Sequence, residues 1–243
     1  SRAEHILFRG KEYVLPVNES QTGCFIHGNL LNLPFAKKQI SQSEIEFRYS
    51  AKKGEYLGFP HDFTVRRHYK LGENGLEEYT TVINDGVCEM PVMLAYHTTF
   101  NLDFCGDMQN VKLQVPVTQE YLRDKNFLPT GETAYGRPRD LALANGEFVP
   151  AKQPFSAFYK ANDKTVALFK GAGASVYYEA DGIFGYRMLY RGDGDGFAVC
   201  EPQTCVIDCF HFEQKPEELG LIVLSGGESK TFYTRICIEK NDN

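Results

Sequence analysis

The feature that most constrains the fold is a succession of short segments in which apolar and polar residues alternate, separated by turns rich in glycine, asparagine and aspartate. Alternation with a period of two places neighbouring side chains on opposite faces of a strand, so each segment predicts a half-buried β-strand. The clearest of them are residues 45–49, 79–83, 111–115 and 175–179, with hairpin-type turns at 72–75 and 84–86. No long amphipathic helix is evident. The pattern predicts an all-β protein, a large antiparallel β-sandwich.

The length of 243 residues allows two small domains, but β-sandwiches often reach this size as one unit. We predict that residues 1–243 form a single domain, with an apolar fraction of 42% that supplies a sizeable core. Residues 136–156 contain three prolines and are predicted to be a long surface excursion, not an interdomain linker.

The net charge of −6 argues against nucleic acid as a partner, since that interaction rests on basic surfaces. No apolar run approaches the ~18 residues that span a bilayer, and no cationic segment with an apolar core opens the chain. We therefore expect a cytoplasmic protein with no membrane partner. The oligomeric state is not predictable from these patterns.

The seven cysteines are odd in number and irregularly spaced, which favours reduced thiols over a disulfide framework. Cys200, Cys205 and Cys209 invite a metal-binding interpretation. Their spacing lacks the close Cys-x-x-Cys pair of common zinc sites, so no metal site is predicted.

A histidine follows a run of apolar and aromatic residues at 92–96. The run predicts a buried strand, and His97 lies where that strand leaves the core. The unperturbed pKa of histidine, about 6.5, allows it to donate or accept a proton near neutral pH. A core histidine held by a backbone carbonyl is the alternative.

A glutamate closes a second apolar run, at 197–200. Pro202 prevents simple continuation of the strand ladder, so the strand is predicted to end at Glu201. Glutamates are seldom buried without a partner, and this one is expected to face a polar cleft. A strand-end carboxylate that accepts backbone hydrogen bonds is the alternative. Together, His97 and Glu201 form a minimal acid–base pair.

Four segments, in order along the chain, resemble motifs of the aldose 1-epimerases, the galactose mutarotase family. The segment His97-Thr98-Thr99-Phe100-Asn101-Leu102 is similar to the family's His-x-x-Phe-Asn-Leu motif. The others are Gly10-Lys11-Glu12-Tyr13-Val14-Leu15-Pro16 followed by Ile26-His27-Gly28, then Phe127-Leu128-Pro129-Thr130-Gly131-Glu132, and finally Cys200-Glu201-Pro202-Gln203-Thr204. The resemblance covers most of the chain and implies the family's sandwich fold.

The resemblance also implies site residues. His97 and Glu201 correspond to the catalytic pair, and His27 to a substrate-binding histidine. Arg2 is placed near the family's substrate-binding arginine, although Ser1 stands where an asparagine is expected and the distance to Gly10 is shorter by two. Family members normally carry strands before the Gly-Lys-x-Tyr element, so a missing N-terminal portion or a shortened member is expected.

Sugar recognition departs from the family pattern. The Asp-His-Asn-Phe segment, whose aspartate binds sugar hydroxyls, is absent, and Asp140 and Asp163 replace it by position only. Gln203 lies two residues beyond Glu201, on the same side of an extended chain, and is expected either to line the cleft or to be solvated at the strand end. The identity of the sugar is therefore open.

The implied reaction interconverts the α and β anomers of a hexose and requires no cofactor. Glu201 would remove the proton from the C1 hydroxyl while His97 protonates the ring oxygen. Two alternatives stay open. One is a carbohydrate-binding protein without catalysis. The other is a mutarotase for a phosphorylated sugar, with a basic cluster at Arg66, Arg67 and His68.

Overall fold

The computed structural model describes residues 5–73, 75–161 and 163–241, and its strands form two large antiparallel sheets and two small pairs. The eight-stranded sheet has the order β3 (Ala36–Gln39), β4 (Glu44–Ala51), β5 (Phe63–Gly72), β6 (Gly75–Asn84), β18 (Ser229–Lys240), β14 (Ala174–Ala180), β13 (Thr165–Lys170) and β9 (Lys112–Gln114). The six-stranded sheet has the order β11 (Pro129–Ala134), β10 (Val117–Arg123), β12 (Phe155–Ala161), β15 (Tyr186–Arg191), β16 (Phe197–Gln203) and β8 (Thr98–Asn101). The pairs are β1 (His5–Phe8) with β2 (Lys11–Val14), and β7 (Met90–Val92) with β17 (Ile222–Leu224). The predicted all-β, antiparallel fold is confirmed.

The main core lies between the two large sheets. Leu189 of β15 and Phe232 of β18 are fully buried there, one from each sheet. The ring of Phe100 of β8 packs against that of Phe169 of β13, with centroids 5.0 Å apart and planes tilted by 41°, which joins the sheets at one edge. Burial of this apolar surface is the main favourable contribution to folding.

A second apolar cluster covers part of the other face of the six-stranded sheet. Phe158 and Tyr186 of that sheet pack there with Ile6 and Phe8 of the β1–β2 hairpin and with Val206 of the segment after β16. The hairpin and the segment after β16 therefore cover part of this face, and polar residues lie on the uncovered part.

The predicted strands at 45–49, 79–83 and 175–179 lie within β4, β6 and β14, and the one at 111–115 contains β9. The predicted hairpin at 72–75 is present, because Gly72 pairs with Gly75 where β5 returns as β6. The predicted hairpin at 84–86 is wrong. The strand that follows, β7, pairs with β17 instead of β6, and the buried Asn84 amide donates to the Leu224 carbonyl at 2.9 Å.

The prediction of a surface excursion over 136–156 is also wrong in part. The stretch contains α1 (Pro138–Asn145), whose Leu143 is fully buried, and a 3-10 turn at Pro150–Lys152. Proline at the first helical position and Gly146 in the left-handed conformation at the C-terminus delimit the helix. In the described part of the chain, no helix has the length and apolar character that crossing a membrane requires.

Candidate active site

Glu201 occupies the open face of β16. It lies opposite Met188 of β15, and its side chain is only 8% exposed. Because side chains alternate across a strand, the preceding Cys200 points into the main core and is fully buried. The same strand therefore fills the core with one side chain and presents a carboxylate with the next.

The strand does not end at Glu201, as the sequence predicts, but continues through Pro202 to Gln203. The Pro202 carbonyl accepts a hydrogen bond from the Tyr96 N–H at 3.3 Å. In a strand, the N and O of one residue point to the same neighbour, so the missing donor of Pro202 also faces Tyr96. The strand continues past the proline with one of the two ladder bonds of this pair, while Gln203 still pairs with Tyr186 on the other side.

The buried strand predicted at 92–96 is wrong for most of its length, because β7 ends at Val92 and residues 93–97 run beside β16 with Met93 and Ala95 exposed. A bridge between Ala95 and Gln203 fixes this segment against the end of β16. As a result, His97 Nε2 lies 3.2 Å from Glu201 Oε1. The His97 side chain is 49% exposed, so the pair is reachable from solvent through the histidine.

His27 completes a group of three. Its ring lies 4.9 Å from the His97 ring, edge to face. His27 adopts a left-handed backbone with φ of 58°, uncommon for a residue other than glycine, and Gly28 follows with φ of 61°. The Asn18 side chain fixes the loop by donating to the Ile26 carbonyl at 2.7 Å and accepting from its N–H at 2.8 Å.

The environment changes the proton affinity of two of these groups. Burial raises the pKa of Glu201, although His97, a hydrogen bond from Gln203 and the Arg123 charge oppose the rise. The Gln203 amide donates to Glu201 Oε2 at 3.1 Å. Of the two roles expected for Gln203, the structure therefore favours lining the cleft over solvation at the strand end. Burial, followed by the charge of His97, lowers the pKa of His27, which leaves that ring neutral at pH 7.

Sequence reasoning missed one residue of this site, Arg123 at the end of β10. Its guanidinium donates from Nη2 to Ser156 Oγ at 2.9 Å and from Nη1 to Met188 Sδ at 3.5 Å, and it lies 5.6 Å from the Phe127 ring centre. Burial lowers the pKa of Arg123, Arg139 lowers it further, and Glu201 opposes the shift. Nothing in the sequence near residue 123 marks it, because its hydrogen-bond partners come from strands more than 30 positions away.

Other candidates lie elsewhere. Asp140 is fully buried at the start of α1, where Tyr159 donates to it at 2.7 Å, so it cannot bind a sugar. Asp163 lies in the turn between β12 and β13 and accepts from the Thr165 N–H at 2.6 Å. Neither replaces the missing aspartate. Arg2 lies outside the described residues.

The basic cluster considered for a phosphate lies on β5 of the other sheet. Arg66 pairs with Glu46 at 2.9 Å and Arg67 with Glu78 at 2.7 Å, so carboxylates already compensate both charges. Among residues 5–73, 75–161 and 163–241, no group of three or more histidine, cysteine or acidic side chains is arranged to hold a metal ion.

Comparisons with known proteins give a family match and several similar structures. The sequence pattern of the aldose 1-epimerase family matches residues 5–237. The structure superimposes on a galactose mutarotase-like protein from Clostridium acetobutylicum with a TM-score of 0.89 and 25% identity, covering 99% of this chain and 76% of that one. A putative aldose 1-epimerase from Escherichia coli K12 superimposes with a TM-score of 0.81 and 20% identity, covering 98% of this chain and 79% of that one. A galactose 1-epimerase from Lactobacillus acidophilus superimposes with a TM-score of 0.74 and 15% identity, covering 99% of this chain and 77% of that one.

Proposed function

This chain belongs to the aldose 1-epimerase family, and from that premise we propose that it interconverts the α and β anomers of a hexose by acid–base opening of the sugar ring. One observation carries the proposal. His97 Nε2 and Glu201 Oε1 lie 3.2 Å apart on the open face of the six-stranded sheet, where a sugar can reach both. Proton transfer by positioned groups requires this reach.

Glu201 acts as the base. Its carboxylate removes the proton from the C1 hydroxyl, the C1–O1 bond becomes a carbonyl, and the C1–O5 bond breaks. Because burial raises the pKa of Glu201, the carboxylate is a stronger base than one in water. The Gln203 amide, 3.1 Å from the other carboxylate oxygen, orients the group.

His97 acts as the acid and delivers a proton to O5 as the ring opens. Rotation about C1–C2 then exposes the other face of the aldehyde, and closure returns each proton to its donor. The neutral His27 ring, 4.9 Å from His97, hydrogen-bonds the ring oxygen or a neighbouring hydroxyl. Each such proton transfer contributes about 10²- to 10⁴-fold in rate.

A carbohydrate-binding protein without catalysis is the main alternative. Binding alone would not need a histidine in contact with a buried carboxylate, since desolvating that carboxylate costs free energy and raises its pKa. The acid–base geometry therefore favours an enzyme.

Saturation-transfer NMR tests the proposal. Glucose, galactose and their 6-phosphates are each mixed with the protein, and magnetisation exchange between the α and β anomeric protons is measured. We expect faster exchange for at least one free hexose, in proportion to protein concentration. Sugar binding with unchanged exchange in all four would contradict the proposal and indicate a binding protein, and acceleration confined to the 6-phosphates would assign a phosphorylated substrate.

A further inference from the structure

Arg123 is a partly buried cation on the same face as Glu201. Its side chain starts at the end of β10 and reaches across β12, where it bonds Ser156, to β15, where it touches Met188. Met188 is the residue directly opposite Glu201. The guanidinium therefore lies over β12 and β15, and β16, the strand that carries the carboxylate, is the next one in the sheet.

The charge of Arg123 has no carboxylate in ion-pair contact within the described part of the chain. The two nearby arginines differ in this respect. Arg137 contacts both Glu120 and Asp140, and Arg139 pairs with Glu120 at 2.5 Å. Glu201, whose charge favours the charged form of Arg123, is not in ion-pair contact with it among the described residues.

The hydrogen bonds of Arg123 also leave donors available. A guanidinium carries five N–H groups, whereas the partners given by the structure are one hydroxyl oxygen and one thioether sulfur, a weak acceptor. The exposed ring of Phe127 lies against the guanidinium at 5.6 Å and restricts its position. A fixed donor with spare N–H groups on an open face is suited to bind oxygen atoms of a ligand.

The order of the strands determines which oxygen of the sugar Arg123 can reach. Glu201 lies between His97, which precedes the edge strand β8, and the Arg123 guanidinium over β12 and β15. In the proposed reaction the ring oxygen is at His97 and the C1 hydroxyl at Glu201. The sugar atom on the far side of C1 from the ring oxygen is C2, and its substituent points toward Arg123.

We infer that Arg123, with Ser156 held beside it, binds the oxygen at C2 of the sugar, so that the substrate class is aldoses with a C2 hydroxyl. This inference rests on the proposed function for the orientation of the ring. It also assigns sugar recognition to a hydrogen-bond donor in a chain that lacks the family's aspartate segment.

The test compares glucose and galactose, each beside its 2-deoxy analogue, in the wild-type protein and in Arg123→Met. Anomer exchange is measured by NMR and sugar affinity by calorimetry. A hydrogen bond from a charged group contributes enough for about 10- to 100-fold discrimination. We expect the wild-type protein to favour the 2-hydroxy sugar by that factor, and Arg123→Met to lose the preference because it slows the 2-hydroxy sugar by that factor more than the 2-deoxy analogue.

Two further variants serve as controls. Lys125→Met removes an exposed positive charge two residues away and should keep the wild-type discrimination, whereas Arg123→Lys should restore part of it. An equal loss on both sugars in Arg123→Met would overturn the inference and assign Arg123 an electrostatic role on Glu201. Equal wild-type rates with both sugars would overturn it as well. If no sugar is turned over, the proposed function fails, and the affinity ratio of the sugar pair alone decides on Arg123.

Discussion

Two arginines on opposite faces of the six-stranded sheet show how differently the two sides of one sheet are used. Arg187 of β15 is fully buried on the core side, where it donates to the carbonyls of Phe184, Tyr186 and Asp163. Arg123 lies on the other side and bonds only a hydroxyl and a thioether. The core-side arginine holds the backbone together, and the cleft-side arginine keeps donors for a ligand. The acceptors around a residue, more than its type, determine its role.

The same contrast holds for consecutive residues of β16. Cys200 is fully buried in the core, and burial raises the pKa of its thiol, so it stays uncharged. Glu201, one residue later, carries the proposed chemistry on the open face. We therefore expect changes on the core side to affect the free energy of unfolding and changes on the cleft side to affect turnover.

The largest expected effect is on the core side. Arg187→Met removes a donor from the buried carbonyls of Phe184 and Tyr186, and each unsatisfied group costs about 1–3 kcal/mol, so the free energy of unfolding should fall by about 2 kcal/mol or more. Urea denaturation measures the fall. The folded fraction should keep its kcat/KM. An Arg187→Met variant with normal stability but lost turnover would contradict the division between a stabilising core side and a catalytic cleft side.

A medium effect concerns pH. The folded-state pKa of Glu201 lies above its unfolded value, so its contribution to stability is present below the unfolded pKa, about 4.5, and is lost as pH rises through the folded pKa. Glu201→Gln does not titrate, and its melting temperature should exceed that of the wild-type protein by a margin that widens as pH rises above about 4.5.

Thermal melts at several pH values test this, with Glu213→Gln at an exposed position as the control whose difference stays flat. A gap that widens toward acid pH instead would show that the carboxylate stabilises the folded state.

The smallest expected effect is at Gln203. Gln203→Leu removes the hydrogen bond that opposes the rise in the pKa of Glu201, so the pKa should rise further. Since the base must be ionised, the acidic limb of the kcat/KM profile should move to higher pH, with about 2- to 10-fold lower turnover at neutral pH. Gln119→Leu, whose amide bonds the exposed Thr133, should leave the profile in place. A limb that moves to lower pH would contradict the assigned direction.

Much of the fold could be predicted from the sequence because its signals are local. Alternation located strands within β4, β6 and β14, and Gly72 with Gly75 marked the β5–β6 hairpin. The strand at β16 was predicted too short, because the Pro202 carbonyl still accepts from the Tyr96 N–H and Gln203 still pairs with Tyr186. The helix α1 was missed although Pro138 and Gly146 are suitable residues for its two ends.

The site was predictable only in part, for a related reason. His27, His97, Glu201 and Gln203 lie in segments that resemble known motifs, and the structure brings the four together. Arg123 could not be found this way. Its place in the site depends on the pairing of β10 with β12, β12 with β15 and β15 with β16, which no local pattern encodes.

The most direct test of the central claim is the rate of anomer exchange in Glu201→Gln, measured by the optical rotation of freshly dissolved α-hexose. The substitution keeps the shape of the side chain but removes the base, and Cys200→Ala, its neighbour on the core side, is the matched control. We expect turnover in Glu201→Gln to fall by about 10²- to 10⁴-fold with sugar binding retained, and Cys200→Ala to keep wild-type turnover in its folded fraction. An unchanged rate in Glu201→Gln would contradict the assignment of this carboxylate as the base.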